Sequence, residues 1–192
     1  MFLLLLGSVL LTSGCANNDF SSTSENLGEN STSSSSVDEP TYVQETISLT
    51  ELEISYSSIE YSSLYINQYS DGSKLSLRKD GSYEEFDKGF FAHANSIIVF
   101  DNLEEFNCVK FNVIYGLNKS AVSSNGAKFF VYVDGVLKME SDVINEKSDY
   151  VAVEIPLESN VKRIALVVDS LGSNGHDHSV WANPILTYQK LV

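Results

Sequence analysis

Cations are missing from the first 73 positions of this 192-residue chain. That stretch holds ten acids, and Lys74 is the first base. Positions 74–192 hold sixteen acids and twelve bases, so most of the formal charge of −14 precedes the part that reads as folded. Phosphate contacts require clustered Lys and Arg. Arg78-Lys79 and Lys162-Arg163 are the only adjacent basic pairs, and both read as exposed strand ends. Nucleic acid is therefore excluded as a partner. Cysteine is almost absent: Cys15 and Cys108 cannot make a disulfide framework. No apolar run is long enough to span a bilayer. No G-x-S-x-G occurs, which removes the usual elbow for a serine nucleophile. Histidine occurs three times and tryptophan once. Two of those histidines and the tryptophan share one short stretch, NGHDHSVWANP (174–184).

The chain begins MFLLLLGSVLLTSGC. Its apolar run has the length of a signal-peptide core. The closing Thr-Ser-Gly-Cys resembles the lipobox of bacterial lipoproteins, although no Lys or Arg precedes it and Thr12 stands where Leu is usual. The resemblance implies cleavage before Cys15 and lipidation of its thiol, which leaves Cys108 unpaired. More than one acyl chain, at about 0.8 kcal/mol per buried CH₂, anchors a protein stably to a membrane. Residues 16–40 are rich in Ser, Thr and Asn and carry five acids. Such a segment cannot offset its ordering entropy, and reads as a disordered tether spanning about 25–30 Å. The expected location is the bacterial cell envelope, lipid-anchored and extracytoplasmic.

Residues 41–192 read as strands. ISLTELEISY, KLSLR, VKFNVIY, AKFFVYV, YVAVEI and RIALVVD alternate apolar and polar positions, and SIIVF is a short apolar run. Val109, Phe111, Val113 and Tyr115 fall on one face, as do Phe129, Val131 and Val133. Asp134-Gly135 separates two runs by two residues, the spacing of a tight hairpin. Cys108 reads as a packed or edge thiol. Hydrophobic residues make up 43% of the chain. About 150 residues can bury roughly 68–70% of their unfolded surface. The expected fold class is all-β: a two-sheet antiparallel β-sandwich, jelly-roll-like.

Four chemistries suit the His- and Trp-bearing stretch, taken as a loop. His176 and His178, with His93, offer zinc three imidazoles but no fourth ligand nearby. Asp169, Asn174 and Asp177 surround the Gly-rich turn DSLGSNGHD, which makes a structural calcium a candidate, without EF-hand spacing. A glycosidase needs two carboxylates across a cleft; Asp87 with Asp177 is one pairing among dozens, and no enzyme is expected. Sugar binding needs an aromatic face and polar groups for hydroxyls. Trp181 with Asp177, His178, His93 and Asn95 has that chemistry. Chemistry alone leaves a second reading equally open, in which Trp181 is core and Asp177 clamps His178.

Three blocks carry a family resemblance. KGFFAHANSIIVFD (88–101) resembles the KGIGTHANSEIVYD-type segment of the NPCBM family, also called carbohydrate-binding module family 51. FFVYVDGVLKMES (129–141) is similar to its hairpin. RIALVVDSLGSNGHDHSVWANPIL (163–186) is similar to its ending. The blocks come in family order over residues 45–188. The resemblance implies a β-sandwich that binds terminal galactose-type or blood-group-like glycans and accompanies a glycoside hydrolase, expected here as a separate partner. His93, Asn95, Asp177, His178 and Trp181 match its HANS and DHxxWA blocks. Val180 and Asn183 stand where the family has acids, and YGLNKSAVSSNG (115–126) lacks the usual acidic pair. The alternative is a protein-interaction or adhesion lipoprotein on the same sandwich, its sugar site decayed, docking through Tyr56, Tyr61, Tyr65 and Tyr69.

Overall fold

The structure, a computed structural model, describes residues 40–192. The expected signal peptide, the lipidated Cys15 and the tether up to residue 39 lie outside the described residues.

Two antiparallel sheets face each other across a core, the expected jelly-roll-like sandwich. Strands are numbered in chain order. The larger sheet is organised around its longest strand, β13 (His178–Leu191). On one side β13 pairs with β8 (Cys108–Leu117), which is flanked by β11 (Val151–Pro156). On the other it pairs first with β6 (Gly89–His93) and then with β1 (Tyr42–Ser48); β3 (Tyr65–Ile66) flanks β6. The second sheet runs β10 (Val136–Glu140), β9 (Lys128–Val133), β12 (Ile164–Asp169), β7 (Ser96–Phe100) and β2 (Tyr56–Ile59). A separate hairpin joins β4 (Leu75–Lys79) to β5 (Ser82–Phe86).

The period-two pattern sorts side chains as expected. Phe111, Val113 and Tyr115 of β8 and Phe129, Val131 and Val133 of β9 point into the core, where they meet Phe90, Phe100 and Leu186. Asp134 and Gly135 take φ of +49° and +78° and put Val133 opposite Val136. Positive φ at both central residues is what a two-residue hairpin with native twist requires. Cys108 is buried at the start of β8, and its thiol faces the Leu103 carbonyl oxygen at 3.7 Å.

Two expectations need correction. The alternation read across residues 47–52 breaks at Ser48. Its Oγ accepts from Thr50 N at 3.3 Å, and Leu49–Glu51 form a 3₁₀ turn that buries Leu49. The second concerns NGHDHSVWANP. From His178 onward it is not a loop but β13. Residues 179–182 have β6 on one side and β8 on the other, so their backbone groups are paired on both edges.

A second apolar cluster lies outside the sandwich proper. The β4–β5 hairpin covers the outer face of the larger sheet, where Leu75, Leu77 and Phe86 bury Phe91, Val180 and Ala182. Val180, one of the family departures, is thus packing under that hairpin. Asn183, the other, has φ of +46°, sits where the β8–β13 register shifts, and donates its N–H to the Lys88 carbonyl oxygen at 2.9 Å. Asn tolerates that left-handed backbone better than most side chains.

Candidate functional site

The β6–β13 register brings the two family blocks together. His93 is the direct cross-strand partner of His178, and Ala94 N donates to the Asp177 carbonyl oxygen at 3.2 Å. The two imidazoles meet edge to face with centroids 5.2 Å apart. They stand on the outer face of the larger sheet, at the sandwich apex where the turn before β13 and the β8–β9 loop converge. Tyr61 meets His93 edge-on at 5.2 Å, and His176 lies 6.0 Å from His178. Tyr61, His93, Asn174, Gly175, His176 and His178 line a hollow of about 280 Å³.

Hydrogen bonding assigns each imidazole a role. His93 Nδ1 lies 3.0 Å from the Ala94 carbonyl oxygen, which can only accept, so in the neutral ring Nδ1 holds the proton and Nε2 is an acceptor. His178 Nδ1 faces the Ser120 hydroxyl at 2.7 Å and the Tyr69 hydroxyl at 3.3 Å. Asn118 Nδ2 donates to Ser120 Oγ at 2.8 Å, which turns the Ser120 proton toward His178. His178 then carries its own proton on Nε2. Side by side, the hollow holds one acceptor and one donor nitrogen. Burial pushes the His178 imidazole below the usual histidine range, and His93 and His176 push the same way. No Lys or Arg lines this hollow.

The other expected residues support this site from behind. Asp177 is 0% exposed; its Oδ1 accepts from Ser124, while its Oδ2 has no partner among the described residues. Burial raises its carboxyl pKa, against the lowering effect of Ser124, His93 and His176. Ser124 Oγ also accepts from Gly126 N at 2.9 Å, so Asp177 clamps the β8–β9 loop and does not line the hollow. Asn95 is exposed and does not line this hollow: its Oδ1 accepts from Ser170 N at 2.7 Å and its Nδ2 donates to Glu60 at 2.6 Å. The Trp181 expectation fails. The indole is 1% exposed and packs edge-on against Phe129 and Tyr115, with centroids at 5.1 and 5.9 Å, so it offers no face to a ligand. The exposed ring at the hollow is Tyr61, at 65%.

Among the described residues, no group of three or more His, Cys, Asp or Glu side chains is arranged to hold a metal ion. His93, His176 and His178, the imidazoles weighed for zinc, form no such group. The residues weighed for a structural calcium do not converge. Asp169 accepts from Leu171 N, while Asp177 is turned inward to Ser124. Sequence reading missed Tyr61 and Tyr69 as site residues, although it flagged both as tyrosines of the front region. It missed Ser120 and Ser124 entirely. Their signal was YGLNKSAVSSNG itself, where hydroxyls stand in a loop expected to carry acids.

Comparison with known proteins places these features in a family. The NPCBM/NEW2 domain matches residues 45–187. The CBM51 from Clostridium perfringens GH95, solved in complex with methyl-galactose, is 25% identical, with a TM-score of 0.68; 74% of this chain and 99% of that one are covered. CBM51-2 with the INT domains of Clostridium perfringens ZmpB is 30% identical, with a TM-score of 0.68 over 77% of this chain. The same ZmpB pair in complex with GlcNAc is 29% identical, with a TM-score of 0.67. This chain spans 32% of those ZmpB chains. No curated protein matches it. The sandwich, its paired histidine blocks and the match over residues 45–187 make this chain a member of the NPCBM/NEW2 family.

Proposed function

We propose that the domain is a non-catalytic glycan-binding module whose apical hollow takes a terminal galactose-type sugar. One observation carries this: an exposed tyrosine ring stands beside a donor imidazole and an acceptor imidazole, with no Asp, Glu, Lys or Arg lining the hollow. A pyranose has the complementary surface. Its C–H patch covers the Tyr61 ring, and neighbouring hydroxyls donate to His93 Nε2 and accept from His178 Nε2–H. Losing one such hydroxyl leaves a buried polar group unpaired, at about 1–3 kcal/mol. The relatives solved with methyl-galactose and with GlcNAc support a monosaccharide-sized ligand. A shallow site of this kind binds in the micromolar to millimolar range, about −8 to −4 kcal/mol.

Lipidation at Cys15 would display many such modules on a bacterial envelope, raising avidity without new contacts. A glycoside hydrolase acting on the same glycan is the expected companion. Titration of the purified protein with methyl-galactoside, GlcNAc and glucose tests the site. Saturable binding of the galactoside that His93→Ala removes supports it; no binding of any of the three sinks it. Competition separates the docking alternative: a protein partner pulled from membranes that free galactose does not displace favours docking. Metabolic labelling with an alkyne fatty acid tests the anchor, with label expected on the wild type and absent from Cys15→Ser.

A further inference from the structure

A second hollow, of about 410 Å³, lies on the outer face of the five-stranded sheet at the same apex. Its floor is a cross-strand row. Ser58 of β2 pairs with Ile97 of β7, and Ile97 with Val167 of β12, all three lining the hollow; Phe130 of β9, the register partner of Val167, continues the row beyond it. Neighbouring strands are about 4.8 Å apart, so the row extends roughly 14 Å. All four side chains face solvent at least in part, and Ile97 is 38% exposed. Above this apolar shelf runs a polar ledge. Glu60 is bonded to Asn95, and Asp169 at the end of β12 lines the same side. The ledge therefore presents carboxylates and an amide along one side of a largely apolar strip.

The two hollows adjoin. Tyr61 and His93 line the first, while Glu60 and Asn95, one and two residues away, line the second. The Glu60–Asn95 bridge, reinforced by Glu60 N donating to the Asn95 carbonyl oxygen at 2.9 Å, is the saddle between them. We infer that this shelf is a second subsite, which holds the sugar units preceding the terminal one, so that the ligand is a neutral oligosaccharide crossing the saddle. The inference rests on the apical hollow being the terminal-sugar site. An apolar floor with hydrogen-bonding groups along one wall matches the alternating C–H and hydroxyl surface of a pyranose chain. A protein partner would need a larger apolar area than this strip, whose continuity with the sugar site is its distinguishing feature.

The test uses the whole protein with two probes, methyl-galactoside and a galactose-terminated tetrasaccharide, against the wild type and the double variant Ile97→Thr/Val167→Thr. Threonine keeps the β-branched shape on these outward positions, and thermal melting checks that both proteins fold. The wild type is expected to bind the tetrasaccharide about tenfold more tightly than the monosaccharide. The double variant is expected to bring that ratio to about one, with monosaccharide affinity within twofold of wild type. Equal affinity of the wild type for the two probes overturns the inference and leaves the terminal site standing. So does a preference that the double variant leaves intact. Failure of both probes to bind overturns the terminal-sugar reading and this one with it. A protein that occupies the shelf and is displaced by neither sugar overturns the inference as well.

Discussion

Replacing Tyr61 by alanine separates binding from folding. The ring is 65% exposed and touches the fold through its edge-on contact with His93 at 5.2 Å. Such an aromatic pair contributes about 0.5–1.5 kcal/mol. For a domain of this size 1 kcal/mol moves Tm by about 2–4 °C, so the variant should melt only a few degrees below wild type. The effect on binding is of another kind. A pyranose laid on the ring removes roughly 60 Å² of apolar surface from water, and at about 25 cal/mol per Å² that is ~1.5 kcal/mol, or about tenfold in Kd. Calorimetric titration with methyl-galactoside, paired with a melting curve, reads both quantities. Tyr61→Phe retains the face and should stay within a few-fold of wild type. If Tyr61→Ala binds as tightly as wild type, the ring is not the platform and the site's geometry has been misread.

Acid should weaken both stability and binding through His178. Its folded pKa lies below the unfolded value near 6.5, so the stability it contributes is present above that value and is lost as pH falls through the folded one. Asp177 acts in the opposite sense: its raised pKa makes its buried charge a penalty at neutral pH that protonation relieves. Melting curves from pH 7.5 to 5 should fall less steeply in His178→Asn than in wild type. The Cys108 thiol, pushed up to about 11 by burial, should react with iodoacetamide at pH 8 only after unfolding when Cys15→Ser removes the other thiol. Gly89→Ala should destabilise by on the order of 3 kcal/mol, read by urea titration, because a Cβ there meets the Trp181 carbonyl oxygen and comes within 2.8 Å of Leu75 Cδ1.

The sandwich was readable because its strands obey one rule. Each of β8, β9 and β12 is half-buried, and alternation is the visible trace of that condition. Strands that lack the condition were unreadable. β6 is buried on both faces, with Phe90 in the main core and Phe91 under the β4–β5 hairpin, so GFFAH shows no alternation of apolar and polar positions. β5 is exposed along most of its length and reads SYEEF, with only Phe86 to mark its inner end. The 3₁₀ turn at Leu49–Glu51 mimics one further step of alternation, since Ile47 and Leu49 both pack inward on either side of Ser48.

The site was found through scarce residues, and the error made there has a specific physical origin. Treated as a loop, 174–184 lets Trp181 and His178 point anywhere, including at one ligand. As a strand it does not. His178 and Trp181 are three positions apart, an odd interval, and successive side chains of a strand point to opposite faces. His178, Val180 and Ala182 therefore belong to the outer face, where the first meets His93 and the others lie beneath the hairpin. Ser179 and Trp181 belong to the inner face, where the indole joins Phe129 and Tyr115. The same parity on β6 puts Phe91 and His93 outside and Phe90 inside. Once the stretch pairs on both edges, burial of the only tryptophan and presentation of the two histidines are consequences of one register. A platform for the ligand must then come from a segment outside the sheet, which is where Tyr61 stands.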